Sequence, residues 1–333
     1  MRTQSTDIEQ HSPLGGLVTA VAFVFPGQGS QSPGMLASFI EQYPVVAETL
    51  GEANEALGFD LAGLIAEGPE SRLNLTQNTQ PAMLLAGVAV YRAWRAAGGA
   101  APRHMAGHSL GEYSALVCAG VLEFAQAVRL VRLRGELMQA AVPEGHGAMA
   151  AVLGLDDDTL RAACVRAADG EVVEAVNLNA PGQVVIAGHT QAVQRALVVA
   201  TEMGARKTVI LPISVPCHSS LLQPAAEKLA AALAEINVSA PQIPVINNVD
   251  VTQLTDPAAI RDSLVRQLYS PVRWVETITA MAAAGVEQIV ECGPGKVLTG
   301  LSRRIDRSLA TASLHDATAL ADVLARDAAG ASA

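Results

Sequence analysis

Residues 106–116 read AGHSLGEYSAL and place Gly107, Ser109 and Gly111 at the spacing G-x-S-x-G. With this spacing a sharp strand-to-helix turn presents a serine hydroxyl to a substrate. Five residues also fit an ordinary glycine-rich helix start, so the flanks must decide. The preceding RHMAGHS reads as a short strand, and a helix is expected from Leu110 onward. That order favours a nucleophile elbow. The helix start would offer the Leu110 N–H and a favourable dipole to a developing oxyanion.

Toward the N-terminus, the apolar run LVTAVAFVF (17–25) predicts a first buried strand, followed by the glycine-rich loop PGQGSQSPG. Helices are expected over 34–58, 79–97 and 124–141, the last closed by Pro143 and Gly145. The pattern changes over 147–211, which reads as strand AMAAVLGL, helix 156–169, strand VVEAVNL, turn NAPGQ, strand VVIAG, helix 190–203 and strand KTVILPI. This β-α-β-β-α-β order is the ferredoxin-like arrangement and predicts a small domain inserted in a larger one. Alternation then resumes with helix 220–235, strand IPVINNV, helices 256–268 and 272–284, strand VEQIVEC and helix 296–307. The expected fold is α/β, with a large domain over 18–144 and 214–333, a ferredoxin-like subdomain over 145–213 and a disordered extension over 1–17.

Composition agrees with that class. Half of the 333 residues are hydrophobic but only 3% are aromatic, so Ala, Val, Leu and Ile must build the core, as in parallel sheets covered by helices. The net charge of -10 opposes attraction to nucleic acid or anionic lipid. Cys118, Cys164, Cys217 and Cys292 form no C-x-x-C pair, which suits reduced cytoplasmic thiols better than disulfides or zinc. The first 16 residues are polar and carry Asp7 and Glu9, unlike a signal peptide. No apolar stretch approaches the ~20 residues that cross a bilayer. A cytoplasmic protein with no nucleic-acid or membrane partner is expected.

Two glycine-rich loops suggest nucleotide binding, and both fail on spacing. Gly27 and Gly29 begin G-x-G-x-x-G, but Ser32 stands at the third glycine, and Gly295-Lys296 lacks the other P-loop residues at Val290 and Val297. A serine nucleophile needs a base. Of seven histidines, His11 is in the polar N-terminal segment, His104 and His108 adjoin the elbow as structural candidates, His146 and His189 bound the small domain, and His315 is near the C-terminus. His218, in SVPCHSS between a strand and a helix, is the best base; its neighbour Cys217 is a rival nucleophile. At about 100° per residue, Arg134 shares a helix face with Ala127, Leu130, Leu137 and Met138. Periodicity leaves three readings of it open: a snorkelling side chain, an internal ion pair, or a fork awaiting a substrate carboxylate.

Read in order, FVFPGQGSQ, GHSLGEYSALVCAG, RLRGELMQ, NAPGQVVIAG, SVPCHSS, RQLYSPVRW and GPGKVLTGL resemble the malonyl-CoA:acyl carrier protein transacylases of bacterial fatty acid synthesis. The resemblance runs from about residue 18 to the C-terminus. It implies an α/β-hydrolase-like large domain with a ferredoxin-like subdomain. It also implies that Ser109 is the nucleophile, His218 its base, and Arg134 the clamp on the malonyl carboxylate. Backbone N–H groups of Gln28 and Leu110 would form the oxyanion hole, and Gln267 would orient His218 through its main-chain carbonyl. Asn179 and Asn247 lie in the motifs without an assigned catalytic role. The VPC before His218 matches the stand-alone enzymes better than the related modular acyltransferases.

The implied reaction is ping-pong, from a coenzyme A thioester to Ser109 and then to the phosphopantetheine thiol of acyl carrier protein, with no metal or redox cofactor, by a monomer. Two rival readings are a serine thioesterase or esterase and a non-catalytic carrier-protein-binding subunit. Arg206 with Lys207, and Lys296 with Arg303, Arg304 and Arg307, are candidate docking clusters for an acidic carrier protein.

Overall fold

A computed structural model describes residues 20–213 and 215–330, with side chains through residue 326. The expected extension over 1–17 lies outside the described residues.

The apolar run of the first strand continues as β1 (Val21–Phe25), every residue of it buried. It is central in a five-stranded parallel sheet with β2 (His104–Gly107), β7 (Val245–Ile246), β8 (Gln288–Cys292) and β9 (Ala310–Leu314), in the order β7-β2-β1-β8-β9. From β1 the chain goes first to β2 on one side and later to β8 on the other. Strand order therefore reverses at β1, and the crevice at the carboxyl ends of such strands is where open parallel sheets bind ligands. The loop holding Gln28 leaves β1 there, and Ser109 leaves β2 there.

The second sheet is antiparallel. β3 (Gly147–Leu153), β4 (Val173–Ala180), β5 (Gln183–His189) and β6 (Lys207–Ile210) pair in the order β4-β5-β3-β6. Helices Asp157–Ala167 and Thr190–Glu202 cover it around a core that includes Leu160, Val184, Ile186 and Val193. The β-α-β-β-α-β order matches the sequence reading. Val272 ties β4 to the larger unit: its N–H donates to the Val176 carbonyl at 2.9 Å and its carbonyl accepts from the Leu178 N–H at 3.0 Å.

Helix Phe124–Ala141 has the expected bounds. It starts there because the Glu123 carboxylate accepts the N–H groups of Ala125 and Gln126, at 3.0 and 2.8 Å. The helix expected over 34–58 is instead two, Ala37–Gln42 and Pro44–Leu57. Pro44 has no N–H and forces Tyr43 to be extended, which ends the first helix. The strand expected over IPVINNV pairs only at Val245–Ile246. Helices Leu61–Glu67, Glu70–Leu73 and Ala317–Gly330, and strand β9, were not anticipated. Among the described residues no helix is long and apolar enough to cross a membrane.

Candidate active site

Ser109 follows β2 directly and has φ +54°, the left-handed conformation that turns its side chain outward. Both flanking glycines are required by contact. A Cβ on Gly107 would lie 1.8 Å from the Gly111 carbonyl carbon, and one on Gly111 would lie 2.0 Å from the Phe25 carbonyl oxygen. The turn is thus pressed against the end of β1, and the helix Gly111–Cys118 starts immediately behind it.

Ser109 Oγ lies 2.6 Å from His218 Nε2. His218 Nδ1 lies 2.8 Å from the Gln267 main-chain carbonyl, which can only accept. Nδ1 therefore carries the proton, leaving Nε2 to accept from the serine hydroxyl. His218 is buried, and this burial, reinforced by the charge of Arg134, lowers its pKa to about 3. The imidazole is neutral at physiological pH, as a base must be.

Unfolding returns this histidine to the ordinary ~6.5, so between these values the unfolded chain binds the extra proton. The stability held by neutral His218 is complete above about pH 6.5 and is lost as pH falls toward 3. Calorimetry of wild type and His218→Asn from pH 7 to pH 4 is expected to show the wild type losing more stability, by up to about 1.4 kcal/mol per pH unit. Parallel curves would contradict the assigned neutrality.

Arg134 is 1% exposed, on the Phe124–Ala141 helix. Nη1 donates to Gln80 Oε1 at 2.9 Å and Nη2 to Gln267 Oε1 at 3.0 Å, while Nε has no partner. The guanidinium carbon sits 5.4 Å from the Tyr113 ring centroid. No acidic side chain among the described residues forms an ion pair with it. Of the three readings open at the sequence level, snorkelling and an internal ion pair are both removed. What remains is a buried cation held by neutral amides, which suits an anion arriving with a ligand.

Ser109, His218 and Arg134 open onto one cavity of about 200 Å3 between the two units. Its apolar walls include Met138, Leu298 and Leu301 from the larger unit and Met149 and Val185 from the smaller. Gln28 and Leu110 line it as well, and neither backbone N–H donates to an acceptor among the described residues. Gln267 is fully buried behind the cavity and does not line it. Cys217 does line it, but burial pushes its thiol up to about 11, so it stays protonated and weakly nucleophilic. His108 also faces the cavity, its Nε2 2.7 Å from Asn179 Oδ1 and its ring edge-on to Trp274. Asn247 holds the Thr252 turn instead of the site.

Three residues of this site were not anticipated. Gln80 anchors Arg134 from the Thr76–Ala96 helix. Asn248 braces the elbow: its Oδ1 accepts the Ser109 N–H at 2.8 Å and its Nδ2 donates to the Gly107 carbonyl at 2.7 Å. Glu112 is buried behind Ser109 and accepts from the Asn248 N–H at 3.0 Å and from Gln267 Nε2 at 2.9 Å. Its acidic side chain in the first turn of a short apolar helix was the only sequence signal for it.

The family model described as acyl transferase domain matches residues 22–331. The malonyl CoA-acyl carrier protein transacylase of Escherichia coli (strain K12) is 58% identical over 307 residues, 92% of this chain and 99% of that protein. The crystal structure of an acyl carrier protein S-malonyltransferase from Vibrio cholerae O1 biovar eltor aligns with TM-score 0.90 at 57% identity, over 91% of this chain and 99% of that one. A malonyl-transacylase solved in complex with a type II PKS acyl-carrier protein, PlMCAT:AntF, aligns with TM-score 0.91 at 53% identity, over 92% and 99%. With this likeness along nearly its whole length, the chain belongs to the acyl transferase family, within the malonyl CoA-acyl carrier protein transacylases.

Proposed function

We propose that this protein transfers the malonyl group of malonyl-CoA to the phosphopantetheine thiol of acyl carrier protein, for fatty acid synthesis, through a malonyl ester on Ser109. Ser109 Oγ attacks the thioester carbonyl as His218 Nε2 takes its proton. The oxyanion forms between the N–H groups of Gln28 and Leu110, at the start of the elbow helix. Arg134 pairs with the free malonyl carboxylate and so aims the thioester at Ser109. The C–S bond breaks and coenzyme A leaves as a thiol with the proton returned by His218 Nε2, and with a pKa near ~8.5 it needs little acid assistance. A neutral main-chain carbonyl on Nδ1 therefore suffices where amide hydrolysis uses a carboxylate. The carrier-protein thiol then attacks the ester as His218 again accepts the proton, and the C–O bond breaks with that proton passed to Ser109 Oγ, which restores the free serine.

The observation that carries this reading is the buried Arg134, held only by neutral partners and opening onto the same cavity as the Ser109–His218 pair. Incubation with malonyl-CoA followed by intact-mass measurement tests it. A stoichiometric malonyl adduct should form and should disappear on addition of phosphopantetheinylated carrier protein, which gains the group. Free malonate in place of malonyl carrier protein would favour a thioesterase, and failure to acylate would favour a non-catalytic subunit.

In fold terms, the larger unit, over 18–144 and 214–333, is α/β-hydrolase-like, and the smaller, over 145–213, is ferredoxin-like, in a cytoplasmic protein. Exposed basic side chains on both units suit an acidic carrier protein. Arg206 and Lys207 precede Leu211 of the cavity lining in sequence, and Lys296 precedes Val297 and Leu298 of that lining, with Arg303, Arg304 and Arg307 farther along the chain. A carrier protein as partner is supported by the relative solved in complex with an acyl-carrier protein. Reversing Arg206 and Lys207 to glutamate is expected to raise the apparent KM for carrier protein and leave that for malonyl-CoA in place. An unaltered carrier-protein dependence at low salt would remove this pair from the docking surface.

A further inference from the structure

Glu112 is 2% exposed, and its carboxylate has no cationic partner among the described residues. Desolvation makes a buried carboxylate costly unless its hydrogen bonds hold it for a purpose. Its Oε2 receives two, from the Asn248 N–H and from Gln267 Nε2. The same Nε2 also donates to the Ser109 carbonyl at 2.9 Å, while Gln267 Oε1 accepts from Arg134 Nη2 at 3.0 Å. An amide has one donor end and one acceptor end. If it turned over, its NH2 would face the Arg134 guanidinium, donor against donor, and its oxygen would face the two acceptors.

We propose that Glu112 is a positioning residue for malonyl recognition: by accepting from Gln267 Nε2 it locks the amide whose oxygen holds the Arg134 fork toward the cavity. The inference rests on Arg134 acting as the carboxylate clamp. Burial pushes the Glu112 carboxyl up to about 7, even against the pull of its Gln267 and Asn248 hydrogen bonds and of Arg134. A proton on Oε1 leaves Oε2 able to accept, so a glutamine side chain at this position can take over the same two hydrogen bonds with its single oxygen. A leucine of similar volume cannot.

The experiment compares kcat/KM for malonyl-CoA and acetyl-CoA, with carrier protein as acceptor, in wild type, Glu112→Leu, Glu112→Gln and Arg134→Ala, each checked for folding by its melting curve. Glu112→Leu leaves a buried donor unpaired, which corresponds to a loss of roughly tenfold to a hundredfold. That loss is expected on malonyl-CoA, with a distinctly smaller one on acetyl-CoA, and Glu112→Gln is expected to recover most of the malonyl preference. Should Glu112→Leu not fold, Glu112→Asp, one methylene shorter, replaces it with the same expected split. Equal losses on both thioesters in a folded variant, or a glutamine variant as impaired as the leucine one, would overturn the assignment. If Arg134→Ala separates the thioesters and Glu112→Leu does not, only the role of Glu112 falls. If Arg134→Ala does not separate them, the clamp falls and the inference with it.

Discussion

Ser109→Ala protein is expected to fold normally, to acquire no malonyl group, and to lose transfer activity by about 10⁶-fold, the scale set by removing a serine nucleophile elsewhere. The fold should survive because the elbow is held by backbone contacts that alanine retains. The N–H at position 109 still donates to Asn248, its carbonyl still accepts from Gln267, and the flanking glycines still pack against β1. The chemistry should not survive, because the one oxygen among the described residues that His218 Nε2 contacts has gone. Intact-mass measurement after incubation with malonyl-CoA checks both points alongside a melting curve. A stoichiometric adduct on the variant would require another nucleophile, and Cys217, in the same cavity, would be the first to replace.

For Arg134→Ala the expected result is a reversal of preference. Malonyl transfer loses the partner of a buried carboxylate, a cost on the order of 2 to 5 kcal/mol. At ~1.4 kcal/mol per tenfold, this is roughly thirtyfold to several thousandfold in kcat/KM. Acetyl-CoA has no carboxylate and loses no such contact. Its transfer should hold level or rise, because an uncompensated cation no longer faces the methyl group. Gln80 and Gln267 each lose a donor, so some stability is lost too, and a purely structural Arg134 would show only that. Equal depression of both thioesters with a lowered Tm would therefore defeat the clamp assignment.

Local signals carried much of this architecture. Helix Phe124–Ala141 was legible to the residue because its cap, its apolar stripe and its closing Pro143 all lie within it or beside it. The β-α-β-β-α-β unit was legible because turns such as Ala180-Pro181-Gly182 mark its corners. The apolar spacing continues on both sides of Pro44, so periodicity alone reads the two helices there as one. β9 escaped notice because Ala310, Thr311, Ala312 and Ser313 are small and only partly covered, so no alternation of apolar and polar residues announces a strand. In the site, Ser109, His218 and Arg134 drew attention as chemical types in unusual settings. Gln80, Glu112 and Asn248 did not, because an amide in a helix or a turn and an acid at a helix start are ordinary until folding buries them.

The two units contribute unequally to the cavity they enclose. Ser109, His218, Arg134 and Gln267 all belong to the larger one, whereas the smaller supplies wall residues such as Met149 and Val185. Gln267 grips the imidazole of His218 with its main chain and the guanidinium of Arg134 with its side chain, so both groups are held from one helix end. Because both grips come from one residue, a displacement of that helix end carries the imidazole and the guanidinium with it, and their spacing is kept. A single residue thus acts as a fixed spacer between the two polar groups that face the cavity.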